Sequence, residues 1–258
     1  MRAIVLIPTF NERENILILV PRLLRVFKKV HKWRLAILVV DDNSPDGTAV
    51  AVLNFARLAS KRAKRRRNVH LLVRNKKKGL GAAYLAGMHH AFRQLKTDIV
   101  LVMDADLSHN PNYIPAFLRK VEDGCDFVVG SRYIRGGDIA KGWALHRKLL
   151  SVFGNIVVPF MLGTHALSDW SSGYRAIHKR VFHKIAPMIS KNKRELRGYT
   201  FNIAFAYHTV ISGFRVGEVP IKFVDRSSGR SKLGLEYLFH TPVFLIRTRL
   251  NMLLDGIL

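Results

Sequence analysis

Short apolar runs alternate with segments of helical spacing along the first half of the chain. The strands that these runs predict occupy residues 3–7, 35–40, 69–73 and 98–103, and each ends in a polar loop. Such runs are typical of strands buried on both faces of a sheet, whereas the segments between them have apolar residues at helical spacing. This β-α-β-α-β-α-β order predicts an α/β fold with a parallel sheet, right-handed crossovers and covering helices.

The fourth apolar run ends in Asp104-Ala105-Asp106. Because side chains alternate along a strand, both carboxylates are predicted to lie on the same side of the backbone. Two carboxylates so close repel each other unless a cation lies between them, and oxygen ligands favour Mg²⁺ or Mn²⁺. The carboxyl end of a strand is also where ligands bind in open α/β sheets. The tripeptide alone is equally compatible with a solvated turn.

Polar loops also follow the first three predicted strands, at the same sheet edge as Asp104. The residues concerned are Pro8, Phe10 and Glu12 after the first strand, Asp41 and Asp42 after the second, and Lys78 and Gly79 after the third. A carboxylate there accepts hydrogen bonds from a ribose or a base, and glycine beside a cation at a helix start suits a diphosphate. Taken singly, each loop is more often an ordinary turn, so the prediction of a nucleotide site depends on their convergence.

The length of 258 residues suits one α/β domain or a domain with a small appendage, and 48% apolar residues suffice for a core. No run of about 18 uninterrupted apolar residues occurs, so we expect no membrane-spanning helix. The first residues enter a strand without the profile of a signal peptide. The single cysteine, Cys125, excludes an internal disulfide and is expected to be a buried, inert thiol.

The charge is strongly positive, because 43 Lys and Arg against 18 Asp and Glu give a net charge of +25. Such a balance indicates polyanionic partners, which include nucleic acid, an anionic membrane surface and phosphate-bearing substrates. The densest basic run, residues 61–67, is typical of a solvated helix end or of non-specific attraction to a membrane. The chain has no recognised nucleic-acid-binding motif, so we expect no nucleic-acid partner and keep that class as a distant alternative.

Seven motifs in order along the chain carry a resemblance to a known family. They are PTFNEREN (8–15), VVDDNSPDGT (39–48), KGLG (78–81), MDADLSH (103–109), VGSRY (129–133), SGYR (172–175) and EVPI (218–221). With these motifs the chain resembles the family-2 glycosyltransferases of the GT-A fold, and more narrowly the dolichol-phosphate (polyprenol-phosphate) mannose synthases. The resemblance implies a Rossmann-like, mostly parallel sheet and inverting, metal-dependent transfer of mannose from GDP-mannose to a dolichyl or polyprenyl monophosphate.

The resemblance also implies which residues bind the donor and the metal. The donor pocket falls on Pro8, Phe10, Glu12, Val39, Asp41 and Asp104, beside Asp42, Lys78 and Gly79 from the loops above. The Mg²⁺ or Mn²⁺ site falls on Asp104, Asp106 and the residue two positions further on, which is Gln in some members and Ser108 here. A hydroxyl is a poorer ligand than an amide oxygen, so action of Ser108 through water is an alternative to direct ligation.

The acceptor side must come from the second half, where a strand near residues 124–130 is followed by a glycine-containing loop that leads to Ser151. A lipid monophosphate has a second pKa of about 6, so most of it is dianionic at pH 7. As a nucleophile it therefore needs no general base. It needs cations that hold it in line with the sugar. The resemblance implies that the acceptor phosphate is bound by Arg132, Arg147, Ser151, Arg226 and Lys232. It implies catalytic roles for Asp106 and for the four basic residues of that set.

We expect a catalytic domain over residues 1–233 and an amphipathic segment over residues 234–258. The segment is apolar but is interrupted by Pro242, Arg247, Arg249 and Asp255, which suits a helix lying in a membrane interface. Packing on the core, or service as the start of a longer membrane region, is equally compatible with the pattern. The expected location is the cytoplasmic face of a membrane with an anionic surface, and a helper membrane subunit is compatible with this arrangement.

One position departs from the family pattern. Many members have Glu two residues after the equivalent of Asn202, where this chain has Ala204. If that Glu helps to place the sugar or an arginine, donor choice or rate differs here. Independently of this position, the alternative function is transfer of another hexose, such as glucose from UDP-glucose, to the same lipid.

Overall fold

The computed structural model describes residues 1–62, 68–75, 79–139, 142–143, 145–192, 195–196, 198–224 and 236–254. The strands in these ranges are β1 (Arg2–Thr9), β2 (Arg34–Asp41), β3 (Val69–Val73), β4 (Ile99–Val102), β5 (Phe127–Ser131), β6 (Arg175–His178) and β7 (Val216–Pro220). The α-helices in the same ranges are α1 (Arg13–Phe27), α2 (Thr48–Arg62), α3 (Leu80–Arg93), α4 (Ile114–Glu122), α5 (Leu145–Leu162), α6 (Lys179–Lys191), α7 (Gly198–Ile211) and α8 (Glu236–Leu254).

The described strands form one sheet in the order β3-β2-β1-β4-β6-β5-β7. The first four strands are mutually parallel, as the alternating pattern predicts, and β7 is parallel to β5. Strand β6 is antiparallel to both of its neighbours, β4 and β5. The mostly parallel sheet expected for a GT-A fold is therefore confirmed, with one reversed strand that the sequence analysis does not predict.

The sheet is buried on both faces because its apolar side chains alternate between two helical layers. Leu6 and Val100 point into a core shared with α3, α5, α6, α7 and α8. Ile7 and Leu101 point into the opposite core, which is shared with α1, α2 and α4. Cys125 is a buried free thiol in this second core, as predicted.

The carboxyl ends of the first strands lie side by side. Thr9, the last residue of β1, is paired with Asp41 of β2, which in turn is paired with Val73 of β3. Strand β4 runs beside β1, with Val102 paired with Leu6. The loops after these strands therefore meet at one edge of the sheet, as the sequence predicts.

The last described segment is the single helix α8, which continues through Pro242. The expected tail helix is thus present between residues 236 and 254, whereas the predicted domain boundary at 233/234 lies outside the described residues. Among the helices that the structure describes, none is both long enough and apolar enough to cross a membrane.

The contact between α3 and the sheet depends on Gly87. A Cβ there would lie 2.5 Å from Leu6 Cδ1 and 2.7 Å from Val40 Cγ2. We expect Gly87→Ala to lower the free energy of unfolding by about 1–3 kcal/mol through overpacking, measured by urea denaturation. The control is Arg93→Ala on the exposed side of the same helix, for which we expect a change within about 0.5 kcal/mol. Equal stabilities of the two variants would contradict this packing.

Candidate active site

The two carboxylates after β4 occupy different surroundings. Asp104 is half-buried, and its Oδ1 accepts a hydrogen bond from the Tyr84 hydroxyl at 3.1 Å. Asp106 is buried, and its Oδ1 accepts hydrogen bonds from the Ser108 amide at 3.1 Å and from the Ser108 hydroxyl at 2.6 Å. Ser108 thus holds Asp106 in place, which favours a supporting role over direct ligation of a metal.

This donor set fits Mg²⁺ or Mn²⁺, because it consists of carboxylate oxygens at the open end of a strand. In the part of the chain that the structure describes, no group of three or more His, Cys, Asp or Glu side chains could hold a metal ion. Asp104 and Asp106 would therefore bind a hard cation whose other ligands come from elsewhere, as diphosphate oxygens and water do in nucleotide sites.

A buried histidine shapes the turn that carries this pair. His109 Nδ1 accepts a hydrogen bond from the Asp104 amide at 3.1 Å, so a neutral imidazole carries its proton on Nε2. Its ring stacks on Tyr174 with centroids 4.9 Å apart. Burial lowers the pKa of His109, against the opposing effect of the two carboxylates. Leu107 has a φ of +65°, a left-handed conformation that L side chains rarely adopt, so the turn is held by its neighbours.

The second-strand loop is tied to the first through Asp41. This residue is fully buried, and its carboxylate accepts hydrogen bonds from the Thr9 hydroxyl at 2.8 Å and from the Ser44 amide and hydroxyl at 2.9 and 2.6 Å. Asp42 forms an ion pair with Arg74 at 3.0 Å. Both acidic residues of the predicted donor pocket therefore have structural partners, and Asp41 fixes the positions of two loops at once.

The first-strand loop contains the remaining donor-side candidates. Pro8, Phe10 and Glu12 are half-buried at the edge of the sheet. Glu12 accepts a hydrogen bond from the Asn15 side chain at 2.7 Å, and its amide donates to the Thr48 hydroxyl at 3.1 Å. The loop is thereby fastened to the start of α2.

Three other donor-side predictions differ in what the structure shows. Val39 is fully buried among core side chains. Gly79 precedes α3 with a φ of +88°, which glycine adopts without strain, and a Cβ there would meet nothing within 4 Å. Lys78 lies outside the described residues.

On the acceptor side, the guanidinium of Arg132 is held in a buried ion pair. Its Nε and Nη2 donate to the two carboxylate oxygens of Asp169 at 2.7 and 2.8 Å, and Nη2 also donates to the Ser171 hydroxyl at 2.7 Å. The guanidinium also lies near three aromatic rings, those of Tyr133, Trp143 and Phe223, at 5.4, 5.9 and 5.7 Å from their centroids. The position of Arg132 is therefore fixed before any ligand binds.

Asp169 is itself fixed by backbone contacts. It is fully buried and accepts hydrogen bonds from the amides of Arg132 and Ser172, both at 3.1 Å. Glu218 on β7 accepts hydrogen bonds from the amides of Ser168 and Asp169 at 3.0 and 3.1 Å. Burial alone would raise the pKa of Asp169, but Arg132 lowers it below its ordinary value, so the carboxylate is charged at neutral pH.

A second arginine holds the same segment, residues 168–173, which we call the 168–173 loop. The guanidinium of Arg175 donates to the carbonyls of Ser172, Trp170 and Asn202 at 2.6, 2.8 and 2.6 Å. Burial lowers the pKa of Arg175 to about 10, so it stays charged at neutral pH. The loop is thereby fixed to the sheet and to α7.

The 168–173 loop joins the carboxylate pair to the Arg132 site. A Cβ added at Gly173 would lie 3.7 Å from Asp104 Oδ2 and 3.5 Å from the Tyr84 hydroxyl. The ring centroid of Phe223 lies 5.6 Å from that of His109 and 5.7 Å from the Arg132 guanidinium, and His109 is hydrogen-bonded to the Asp104 backbone. Asp104 and the buried Arg132–Asp169 pair therefore lie at the same edge of the sheet.

The other predicted acceptor residues are only partly described. Ser151 is half-buried on α5, and its hydroxyl is hydrogen-bonded to that of Tyr133 at 2.6 Å. Arg147 also lies on α5, although its side chain is outside the described part of the structure. The sequence predicts a loop up to Ser151. This prediction is wrong from residue 145 onwards, because α5 begins there. Arg226 and Lys232 lie outside the described residues.

Residues missed by the sequence analysis include Tyr84, Asp169 and Ser171. A motif at 172–175 points to the neighbourhood of Asp169, but no sequence signal pairs Asp169 with Arg132. Ala204 is fully buried in the core, so a carboxylate is absent from this position of α7.

The chain matches the model of glycosyl transferase family 2 over residues 4–187, more than half of its length. Two curated relatives align along most of the chain. The polyprenol monophosphomannose synthase of Mycolicibacterium smegmatis is 38% identical over 254 residues, which cover 97% of this chain and 89% of the relative. The undecaprenyl-phosphate mannosyltransferase of Micrococcus luteus is 36% identical over 234 residues, which cover 91% and 88%.

Solved structures share the fold at low sequence identity. Glucosyl-3-phosphoglycerate synthase from Mycobacterium tuberculosis, in complex with Mn²⁺, UDP and phosphoglyceric acid, has a TM-score of 0.62 and 16% identity, with 97% of this chain and 78% of that chain covered. The mannosyltransferase PcManGT from Pyrobaculum calidifontis, in complex with GDP-Man and Mn²⁺, has a TM-score of 0.54 and 16% identity, with 99% and 74% covered. The match to the family model and the two curated relatives establish that the chain belongs to glycosyl transferase family 2.

Proposed function

We propose that this glycosyltransferase transfers mannose from GDP-mannose to a dolichyl or polyprenyl monophosphate, with inversion to a β-linked lipid phosphomannose. The observation that carries the proposal is the 168–173 loop, which approaches the Asp104 carboxylate at Gly173 and holds the Arg132 guanidinium at Asp169. The carboxylate would bind a sugar diphosphate through a metal ion, and the guanidinium would bind a second phosphate. The names of the two curated relatives, both for mannose transfer to a polyprenyl carrier, support the choice of sugar and acceptor.

The donor would bind across the loops after β1, β2 and β3. The residues proposed to contact it are Pro8, Phe10, Glu12, Val39, Asp41, Asp42, Lys78, Gly79 and Asp104. The hydrogen bonds of Asp41 to Thr9 and Ser44 hold the first two loops together, so the pocket is ordered in advance. Preordering reduces the entropic cost of binding.

Asp104 and Asp106 would hold Mg²⁺ or Mn²⁺, with Ser108 contributing through its hydrogen bonds to Asp106 or through water. When bound, the ion would neutralise the charge that develops on the leaving diphosphate. The protein's own part is to keep both carboxylates aligned, through Tyr84 and Ser108 and through the contact of His109 with the Asp104 backbone.

The acceptor phosphate attacks the anomeric carbon of mannose directly. A bond forms between a phosphate oxygen and that carbon, the bond from the carbon to the GDP oxygen breaks, and GDP leaves with the electron pair. No proton has to move, because the phosphate is mostly dianionic at pH 7. Arg132, Arg147, Arg226 and Lys232, with Ser151, are proposed to orient the phosphate and offset its repulsion by the diphosphate.

A lipid acceptor requires contact with a membrane. We place the protein at the cytoplasmic face, held by its positive charge and by α8 in the lipid interface, with a helper membrane subunit as a further proposed partner. The alternative function is transfer of another hexose, such as glucose from UDP-glucose, to the same lipid.

Removal of one carboxylate tests the metal site. We expect Asp106→Ala to lower transfer of radiolabelled mannose into organic-extractable lipid at least about a hundredfold, because stabilisation of the leaving group by the ion is worth several kcal/mol. Omission of divalent metal should have the same effect on the unaltered protein. Asp123→Ala, at an exposed carboxylate after α4, should keep full activity. Undiminished transfer by Asp106→Ala would contradict the assignment.

The identity of the donor is tested by comparing two nucleotide sugars. With one polyprenyl phosphate as acceptor, we expect kcat/KM for GDP-mannose to exceed that for UDP-glucose by about tenfold or more. The reason is that the proposed pocket contacts both the base and the sugar of the donor. The measurement is initial rates at several concentrations of each donor. A preference for UDP-glucose would replace the proposed reaction with its alternative.

The buried ion pair is tested through stability. Asp169→Asn leaves Arg132 buried without a counter-ion, and we expect a loss of about 3–5 kcal/mol in the free energy of unfolding at pH 7. Because Arg132 lowers the pKa of Asp169 in the folded state, the stabilisation is present above about pH 4 and declines as the pH falls through the folded pKa. The difference between the two proteins in urea denaturation should therefore shrink in acid.

The control for this change is Lys179→Met, which breaks an exposed ion pair with Asp98 at 3.2 Å. Its cost should stay below about 1 kcal/mol. If Asp169→Asn costs no more than the control, or if its cost does not depend on pH, the ion pair does not fix the loop as described.

A further inference from the structure

The ring of Phe223 lies between the two sides of the proposed site. Phe223 follows β7 and is half-buried. Its ring centroid is 5.6 Å from that of His109, and the two rings meet edge to face. His109 belongs to residues 104–109, the segment with the two proposed metal ligands, which we call the 104–109 turn. The centroid of Phe223 also lies 5.7 Å from the guanidinium carbon of Arg132. One aromatic ring therefore contacts both the carboxylate side and the cation side.

The contact with His109 connects Phe223 to the proposed metal ligands. The His109 ring is buried, and its Nδ1 accepts a hydrogen bond at 3.1 Å from the amide of Asp104. Edge-to-face pairs have a preferred orientation, because the positive edge of one ring faces the negative face of the other. The Phe223 ring therefore restrains His109, and His109 in turn restrains the backbone that carries the Asp104 carboxylate.

On the cation side, the Phe223 ring supplies a restraint that differs from the ion pair. The two hydrogen bonds from Arg132 to Asp169 fix the guanidinium relative to the 168–173 loop. The rings of Phe223 and Trp143 lie 5.7 and 5.9 Å from the guanidinium carbon, and their own centroids are 5.5 Å apart. A cation is attracted to the face of an aromatic ring. These rings therefore hold Arg132 relative to a part of the chain that the ion pair does not reach.

The backbone at Phe223 is held by segments from both sides of the proposed site. The Phe223 amide donates a hydrogen bond at 2.9 Å to the carbonyl of Asp138, which lies in the loop after β5. The amide of Val224 donates at 3.4 Å to the carbonyl of Ser108, which lies in the 104–109 turn. Because both amides are held, the place of the ring is set by the fold before any ligand binds.

We propose that Phe223 is a positioning residue, whose ring sets the distance between the Arg132 guanidinium and the 104–109 turn. It thereby holds the acceptor phosphate in line with the anomeric carbon of the donor. The inference rests on the proposed function, because it takes Arg132 as a ligand of that phosphate. In the sheet order, β1 and β2 lie on the other side of β4 from β7, so the loops that would bind the nucleotide are remote from Phe223.

The role is tested with Phe223→Leu, which keeps an apolar side chain but removes the ring. We expect kcat for transfer from GDP-mannose to a polyprenyl phosphate to fall about tenfold or more, because a small misplacement of a reacting group is costly. The KM for the polyprenyl phosphate should rise several-fold. The KM for GDP-mannose, and the Kd for GDP in the presence of Mn²⁺, should change by less than about twofold, because the donor loops are unaltered.

The matched control is Phe214→Leu. Phe214 is also half-buried and lies just before β7, at the opposite end of the same strand. Both variants lose one half-buried ring, so we expect similar midpoints in urea denaturation, whereas Phe214→Leu should keep the kinetic constants of the parent protein. Equal kinetic constants in the two variants would overturn the positioning role. A loss in Phe223→Leu that appears to the same extent in the Kd for GDP would also overturn it.

A binding measurement separates this inference from the proposed function. Geranyl phosphate, a short and water-soluble prenyl phosphate, is titrated by calorimetry into protein loaded with Mn²⁺ and GDP. We expect Phe223→Leu to bind it about fivefold more weakly than the parent protein or worse, and Phe214→Leu to bind it as the parent does. This pattern, without mannose transfer by the parent protein to any polyprenyl phosphate, would reject the proposed function alone. Equal binding by all three proteins, or no binding by the parent, would overturn the positioning role.

Discussion

The buried pair of Arg132 and Asp169 is the interaction on which the proposed acceptor side depends. Asp169 is fully buried, and its carboxylate is neutralised by a guanidinium that reaches it through two hydrogen bonds at 2.7 and 2.8 Å. A buried pair of this kind adds little net stability compared with apolar residues, but loss of either partner leaves a costly isolated charge. The pair therefore fixes geometry, and what it fixes is the 168–173 loop.

That loop lies between the Asp104 carboxylate and the Arg132 guanidinium. On one side is Asp104, at the end of a strand buried in the middle of the sheet. On the other side is Arg132, at the end of β5. The antiparallel strand β6, which separates β4 from β5, begins at Arg175, two residues after Gly173 at the end of the loop. The topology of the sheet therefore brings the proposed metal-binding residues and the proposed anion-binding residues to the same edge.

The sequence predicted the parallel half of this arrangement well, because buried parallel strands are continuous apolar runs that end in polar loops. It did not predict β6, which has four residues and includes the buried Arg175. Nor did it predict α5, a helix with exposed apolar residues that follows a glycine-containing stretch. Asp169 could not be found either, since the partner of a buried charge is set by tertiary contacts. The motifs at 103–109 and 129–133 nevertheless identified Asp104 and Arg132, the residues on either side of the 168–173 loop.

We propose that the sugar diphosphate binds at Asp104 and Asp106 with its anomeric carbon facing Arg132. The most direct test is a crystal structure of the protein with GDP-mannose and Mn²⁺. We expect Mn²⁺ in contact with both carboxylates and the diphosphate, and the sugar beside the 168–173 loop. A nucleotide bound elsewhere, with Asp104 and Asp106 in contact with neither metal nor diphosphate, would contradict it.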